Sequence, residues 1–349
     1  MYIAFLVALY FAISLGWFRG YFRGNPGVID NIGVYFVYPF VWVIFFLANG
    51  FEVTEKILIK TSLYAGVMLS ILILMAAMME LTLGIDLVNF PIFTSFGIVS
   101  GTQFEGLKLG ASFLPYLIFS YAMLLEIGVA KKNKLEISNI ISQKMAFGVA
   151  ILILTALAIS GRTVMLLCIM WFFVRSASHF LVSFKGVGSL AIIVMSFVWI
   201  IDFNQLNLAL ESKIGFTSEL SEIGMRRILQ LIEGFELILN EPLLGYGVGH
   251  YFESVGDWRI EVTPVTVLVS HGLIITATLT WFYLLVLYRL IKYHNLHYVA
   301  NSSFLFIVAS ATNPILLKFD FIWILLLPFV MFGMVKYQSS LEKNNAYSV

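Results

Sequence analysis

Long apolar runs separated by short polar intervals set the pattern of this chain. A helix crosses a bilayer with about 20 predominantly apolar residues. The pattern therefore predicts membrane spans at approximately 2–18, 32–50, 61–83, 107–129, 140–160, 163–182, 187–203, 262–288, 302–318 and 320–336. The fold class expected is an all-α polytopic integral membrane protein of about ten transmembrane helices, a single membrane domain over 1–349. Its longest polar interval, 204–260, is predicted to form one large loop on the outer side between late spans. Residues 84–106 are apolar but broken by Gly and Pro. They should pack on protein or lie at the interface, since irregular backbone facing lipid leaves amides unsatisfied. No internal repeat of 20–50 residues is evident.

Within the large loop a second periodicity appears. Thr217-Ser218-Glu219 reads as a helix start, with carboxylates favoured in the first turn. Ile223, Leu231, Phe235 and Ile238 recur at helical spacing on one face. Asn240-Glu241-Pro242 ends the helix, because the residue before Pro is pushed out of the helical region. Gly245-Tyr246-Gly247-Val248-Gly249 then lets the backbone turn closely.

Composition agrees with the pattern. The chain is 60% hydrophobic and 12% charged, where an average soluble domain carries roughly 25% charged residues. Its net charge of +1, with no basic tract, points away from nucleic acid. The single cysteine, Cys168, lies in an apolar run and supports neither a disulfide framework nor a zinc site. The apolar run at 2–18 lacks a small-residue cleavage site and is read as the first span.

Charge also orients the chain. Lys131, Lys132 and Lys134 mark one short loop as cytoplasmic. Alternation puts Lys56/Lys60, Arg175/Lys185, Arg289/Lys292, Lys336/Lys343 and both termini inside. Residues 84–106, the region of Arg162, the loop 204–260 and the corner from Asn313 to Asp320 fall outside. Arg19 and Arg23 do not fit this scheme, since they too fall outside. Either the first span is miscounted, or these arginines meet an anionic lipid headgroup there.

Four constellations could carry chemistry. Arg162, in Ser160-Gly161-Arg162-Thr163, lies between two spans, where a cation is either a snorkelling anchor or a functional group. Arg226 and Arg227 are adjacent on the loop helix, about 100° apart, so one of them faces any given site. A guanidinium grips phosphate oxygens in bidentate fashion; the alternatives are headgroup binding and an ion pair with Glu222. His250, Glu253, Asp257, Glu261 and His271 cluster near the eighth span. Glu261 sits where the loop re-enters the membrane, where partial burial would suit it to proton abstraction. A solvated span-end carboxylate is the alternative there, and an interhelical hydrogen bond the alternative for His271. Finally, Asn313 and Lys318 lie at the outer end of the ninth span. Lys318 pairs with Asp320, or one of the two residues lines the site.

The chain has no P-loop, no metal signature, no Asp-x-Asp motif and no Gly-x-Ser-x-Gly elbow. That fits a donor already activated by a pyrophosphate leaving group, with no metal or other cofactor. Transporters of lipid-linked glycans, the alternative of another class, often show internal repeats.

Taken together, Ser160-Gly161-Arg162, an arginine before an amphipathic loop helix, Pro242-Leu243-Leu244-Gly245-Tyr246-Gly247-x-Gly249 and Gly272-Leu273 resemble the O-antigen polymerase and O-antigen ligase superfamily of bacterial cell envelopes. The resemblance is detailed over roughly residues 150–275. Ligases of that superfamily carry His-Asn about eleven residues before the Gly-Leu pair, where this chain has Glu261-Val262. The departure favours a polymerase over a ligase that moves glycan to lipid A core or protein. The resemblance implies a multi-pass protein of the bacterial inner membrane whose active site faces the periplasm. Donor and acceptor would be oligosaccharide units on undecaprenyl pyrophosphate in the lipid bilayer, with a chain-length regulator as a possible protein partner. Arg162 and one of Arg226/Arg227 would hold the pyrophosphate and Glu261 would act on the acceptor hydroxyl. Tyr246, Gly247, Gly249, His250, His271, Asn313 and Lys318 would line the substrate site.

Overall fold

The computed structural model describes residues 2–83, 98–103, 106–111, 114–129, 141–160, 162–176, 218–253, 256, 263–310 and 319–346. These residues are helical apart from turns and one antiparallel hairpin. In chain order the helices are α1 (Tyr2–Phe22), α2 (Tyr38–Leu83), α3 (Leu114–Val129), α4 (Gln143–Ser160), α5 (Arg162–Ser176), α6 (Ser218–Asn240), α7 (Thr263–His294), α8 (His297–Ser310) and α9 (Phe319–Ala346). A short π-helical turn, Gly33–Val37, leads into α2. The hairpin pairs β1 (Ile98–Gln103) with β2 (Gly106–Ala111), with Gln103 opposite Gly106. The expected span 107–129 thus begins in a strand. In this Gly-, Ser- and Thr-bearing stretch the two strands satisfy each other's amides, so no helix is required there.

Among the described residues, Tyr38–Met79 and Thr263–His294 are long and apolar enough to cross a membrane by length and composition. Shorter apolar helices cover Leu114–Val129, Gln143–Leu157 and Trp323–Tyr337. Both long stretches are bent at a glycine. Gly50 (φ 71°) breaks α2, and Gly272 (φ 72°) breaks α7. The polar interval after Gly50, expected as a loop, continues the helix instead. It carries Glu52 and Lys56 four residues apart, a pairing that supports a helix. Glu55 in the same interval accepts a hydrogen bond from the Tyr298 hydroxyl of α8.

The core is built around α3. Every residue from Leu117 to Ile127 is buried, as befits a helix that is apolar on all sides. It is enclosed by α2, α4, α5 and α8. At one end Trp323 of α9 packs edge-on to Phe119 (ring centroids 5.3 Å apart) and lies 6.1 Å from Trp42 of α2. At the other end Arg175 pairs with the buried Glu126, its Nη2 donating to Oε2 at 2.6 Å. The Tyr121 hydroxyl donates to the Cys168 carbonyl at 2.8 Å, tying α3 to α5.

Away from this core, apolar side chains lie open in rows. Tyr64, Met68, Ile71, Met75 and Met78 are all exposed along one face of α2, at the spacing of a single helical stripe. Leu273, Ile274, Trp281, Leu284 and Tyr288 are exposed on α7. On α6, Leu231, Leu237 and Ile238 pack against Phe252, Val265 and Val269. Phe235, expected on that inner face, is instead exposed together with Leu229, Ile232 and Leu239. The helix therefore has two apolar faces, one packed and one open.

Candidate functional site

The loop that follows α6 is shaped by the break in α7. Interrupting a helix strands carbonyls before the break and amides after it. Here the loop supplies partners to two of each. Tyr246 N–H donates to the Val269 carbonyl at 2.7 Å, and Gly247 N–H to the Ser270 carbonyl at 3.1 Å. In return, Leu273 N–H donates to the Pro242 carbonyl at 2.8 Å, and Ile274 N–H to the Leu243 carbonyl at 3.3 Å. Backbone meets backbone so closely that only glycine fits. A Cβ on Gly272 would lie 2.4 Å from the Leu243 oxygen, and one on Gly245 2.5 Å from the Val269 oxygen.

The other side of the loop lies on α1 and the turn after it. Val248 N–H donates to the Gly16 carbonyl at 2.9 Å, and Gly27 N–H to the Gly249 carbonyl at 3.1 Å. The Asn25 amide Nδ2 lies 3.2, 3.3 and 3.0 Å from the carbonyl oxygens of Tyr246, Gly247 and Val248. Trp17 Nε1 donates to the Val28 carbonyl at 2.9 Å and steadies the turn. Gly247 and Gly249 are thus places of close backbone approach. His271 is buried in the seam, and a Cβ on Gly16 would lie 2.5 Å from its ring. Its Nδ1 is 3.3 Å from the Val267 carbonyl.

At the rim of this seam stands a charged and aromatic cluster. Arg19 and Arg23 both reach Glu241, Nη2 to Oε2 at 2.8 Å and Nη2 to Oε1 at 2.6 Å. The two guanidinium groups, Arg23 foremost, hold the Glu241 carboxyl below the usual carboxylate range. The Arg23 guanidinium lies 5.1 Å from the centre of the Tyr246 ring, within cation–π range. His250 lies 4.7 Å from Tyr246 and 5.7 Å from Phe252 between ring centroids. Burial lowers the His250 pKa; Arg23 acts in the same direction, while Glu233 and Glu253 oppose it. Glu233 Oε1 accepts the Glu253 N–H at 2.7 Å.

The structure therefore brings together Tyr246, Gly247, Gly249, His250 and His271. Arg226 and Arg227 lie in α6 and Arg162 opens α5, but their side chains lie outside the described residues, as do Glu261, Asn313 and Lys318. The Arg19–Arg23–Glu241 cluster and Asn25 were not anticipated as site residues. Glycines at positions 16, 20 and 24, then Gly27, were the available signal, because such spacing lets a second backbone approach. Among the described residues, no group of three His, Cys, Asp or Glu side chains converges as metal ligands would. No family model, curated protein or solved structure matches the chain.

Proposed function

We propose that this protein is a polytopic membrane glycosyltransferase of the O-antigen polymerase type. In this reading its apolar helices form a bundle of about ten spans in the bacterial inner membrane, and the α1–loop–α7 seam faces the periplasm. The exposed apolar rows on α2 and α7 meet lipid. The open face of α6, with Leu229, Ile232, Phe235 and Leu239 outward, lies on the membrane surface as an amphipathic helix does.

One observation carries the reading. Two motif pieces that are separate in the sequence, residues 242–249 and Gly272-Leu273, make a single junction with reciprocal hydrogen bonds. At its rim are the aromatic and imidazole groups of Tyr246 and His250. Tyr246 offers a face on which a sugar can stack. Burial favours the neutral imidazole of His250, a form that can both donate to and accept from sugar hydroxyls.

The reaction is a displacement at the anomeric carbon of a glycan on undecaprenyl pyrophosphate. The acceptor hydroxyl of the next lipid-linked unit loses its proton to Glu261 and its oxygen bonds to that carbon. The bond from carbon to the pyrophosphate oxygen breaks, with inversion. Arg162 and one of Arg226/Arg227 stabilise the charge that grows on the leaving pyrophosphate. The test uses the purified chain in vesicles with one synthetic lipid-linked repeat unit, read as a glycan ladder. Wild type extends the unit. Arg162→Ala and Arg227→Ala stop extension, and Glu261→Gln slows it by at least about a hundredfold. A wild-type chain that leaves single units unextended overturns the proposal.

A further inference from the structure

Arg19 and Arg23 stand four residues apart at the end of α1, so they share a face. Their side chains are 27% and 33% exposed, open enough to be reached from solvent. Both converge on one carboxylate, Glu241, which among the described residues leaves one positive charge unbalanced. A guanidinium has five N–H donors. The Arg19 Nε is buried and finds no acceptor among the described residues. About 100° around α1 from this pair runs an exposed apolar row of Phe11, Leu15, Phe18 and Phe22, again at one-stripe spacing. The arrangement is a cationic head beside an apolar track, complementary to a molecule with an anionic head and a long hydrocarbon tail.

We propose that Arg19 and Arg23 form a phosphate site that takes the diphosphate head of a polyprenyl lipid, with Glu241 as the carboxylate it displaces. This rests on the polymerase reading for one step only: the lipid is then that of the acceptor unit. A polymerase handles two lipid diphosphates at once, and Arg162 with Arg226/Arg227 serve the donor. A diphosphate has more oxygens and more charge than a carboxylate, so it can use donors that Glu241 leaves idle. Its hydrocarbon would lie along Phe11, Leu15, Phe18 and Phe22, and its first sugar would meet Tyr246.

The test measures retention of undecaprenyl diphosphate by the full chain in phosphatidylcholine nanodiscs. Inorganic pyrophosphate and phosphatidylglycerol serve as separate competitors. Saturable retention that resists both competitors supports the site. Equal displacement by inorganic pyrophosphate makes it a free-anion site, and equal displacement by phosphatidylglycerol makes it a general headgroup contact; either overturns the proposal. The double variant Arg19→Gln/Arg23→Gln should weaken retention by at least about tenfold. Because that variant also releases Glu241 from the seam, Glu241→Gln is the second arm. It keeps both arginines, removes the competing charge and should strengthen retention severalfold. Retention unchanged in both variants shows a plain structural staple and overturns the proposal. The repeat-unit assay separates the two readings. Arginine-dependent retention in a chain that never extends the unit leaves the site standing without the polymerase. Normal extension by the double variant leaves the polymerase standing without this site.

Discussion

Around α3 the chain packs side chain into side chain; where α1 meets α7 it packs backbone onto backbone. The first region has Leu117, Phe119, Tyr121 and Met123 fully enclosed, with one ion pair between Glu126 and Arg175 at its end. The second is a set of amide-to-carbonyl bonds from residues 242–249 to α7 and α1, with glycines at the closest approaches. A side-chain core tolerates exchange of shape at similar volume. A backbone seam tolerates no added atom, because neither chain can retreat without losing hydrogen bonds. The candidate site groups Tyr246, His250 and His271 belong to the second region, so the proposed chemistry would be mounted on the less forgiving of the two.

The largest effect should come from emptying the core. Phe119→Ala removes a fully buried ring that packs against Trp323 and should cost about 3–5 kcal/mol, seen as a lower Tm in detergent. If the comparison holds, Gly272→Ala follows closely. It combines a positive φ with a clash against the Leu243 carbonyl, and should cost about 3 kcal/mol. It should also open residues 242–250 to protease, which Phe119→Ala at matched stability should not do. Gly148→Ala in α4, where a Cβ meets nothing within 4 Å, is the control and should stabilise by up to about 1 kcal/mol. A Gly272→Ala chain as stable as wild type would dissolve the contrast.

Smaller effects sharpen it. Asn25→Ala removes the amide that faces three loop carbonyls. It should lower stability by about 1–2 kcal/mol and loosen the loop while leaving the core untouched, as hydrogen exchange would show. The smallest effect is set by pH. His250 has a lowered pKa in the fold, so the unfolded chain takes up its proton first as pH falls. Stability should therefore decline once pH drops below about 6.5. His250→Gln should flatten that decline in a Tm-against-pH series. A decline identical in both chains would assign it elsewhere.

Helices were legible because apolar runs leave a strong periodic trace. The bounds of α6 followed from Thr217-Ser218-Glu219 and Asn240-Glu241-Pro242, and the structure has the helix at Ser218–Asn240. The hairpin at 98–111 and the outward turn of Phe235 were not legible, and two further features show why. The interval from Glu52 to Lys60 looked like a loop because it is charged, yet charges four residues apart suit a helix equally well. Arg19 and Arg23 looked misplaced because their partner is more than 200 positions away, Arg19 and Glu241 being 222 residues apart. No local rule reports such a pairing; only the glycine spacing hinted that another backbone comes close. Of the expected site, Tyr246, Gly247, Gly249, His250 and His271 are found together. The positions of the Glu261, Asn313 and Lys318 side chains and of the three candidate arginines are outside the described residues.

The distance between Arg19 and Glu241 along the chain also has a meaning in time. Ribosomes add about 5–20 residues each second, so the 222 residues between them take roughly 10–45 s to make. Throughout that interval α1 is complete, while the strand of loop that will cover Gly16, Gly20 and Asn25 does not yet exist. Newly made α1 therefore offers the Gly16 carbonyl, a line of close-approach glycines and two arginines to whatever is nearby, whether a chaperone, an insertase or another nascent copy. Whatever guards that face during synthesis must let go when residue 249 arrives.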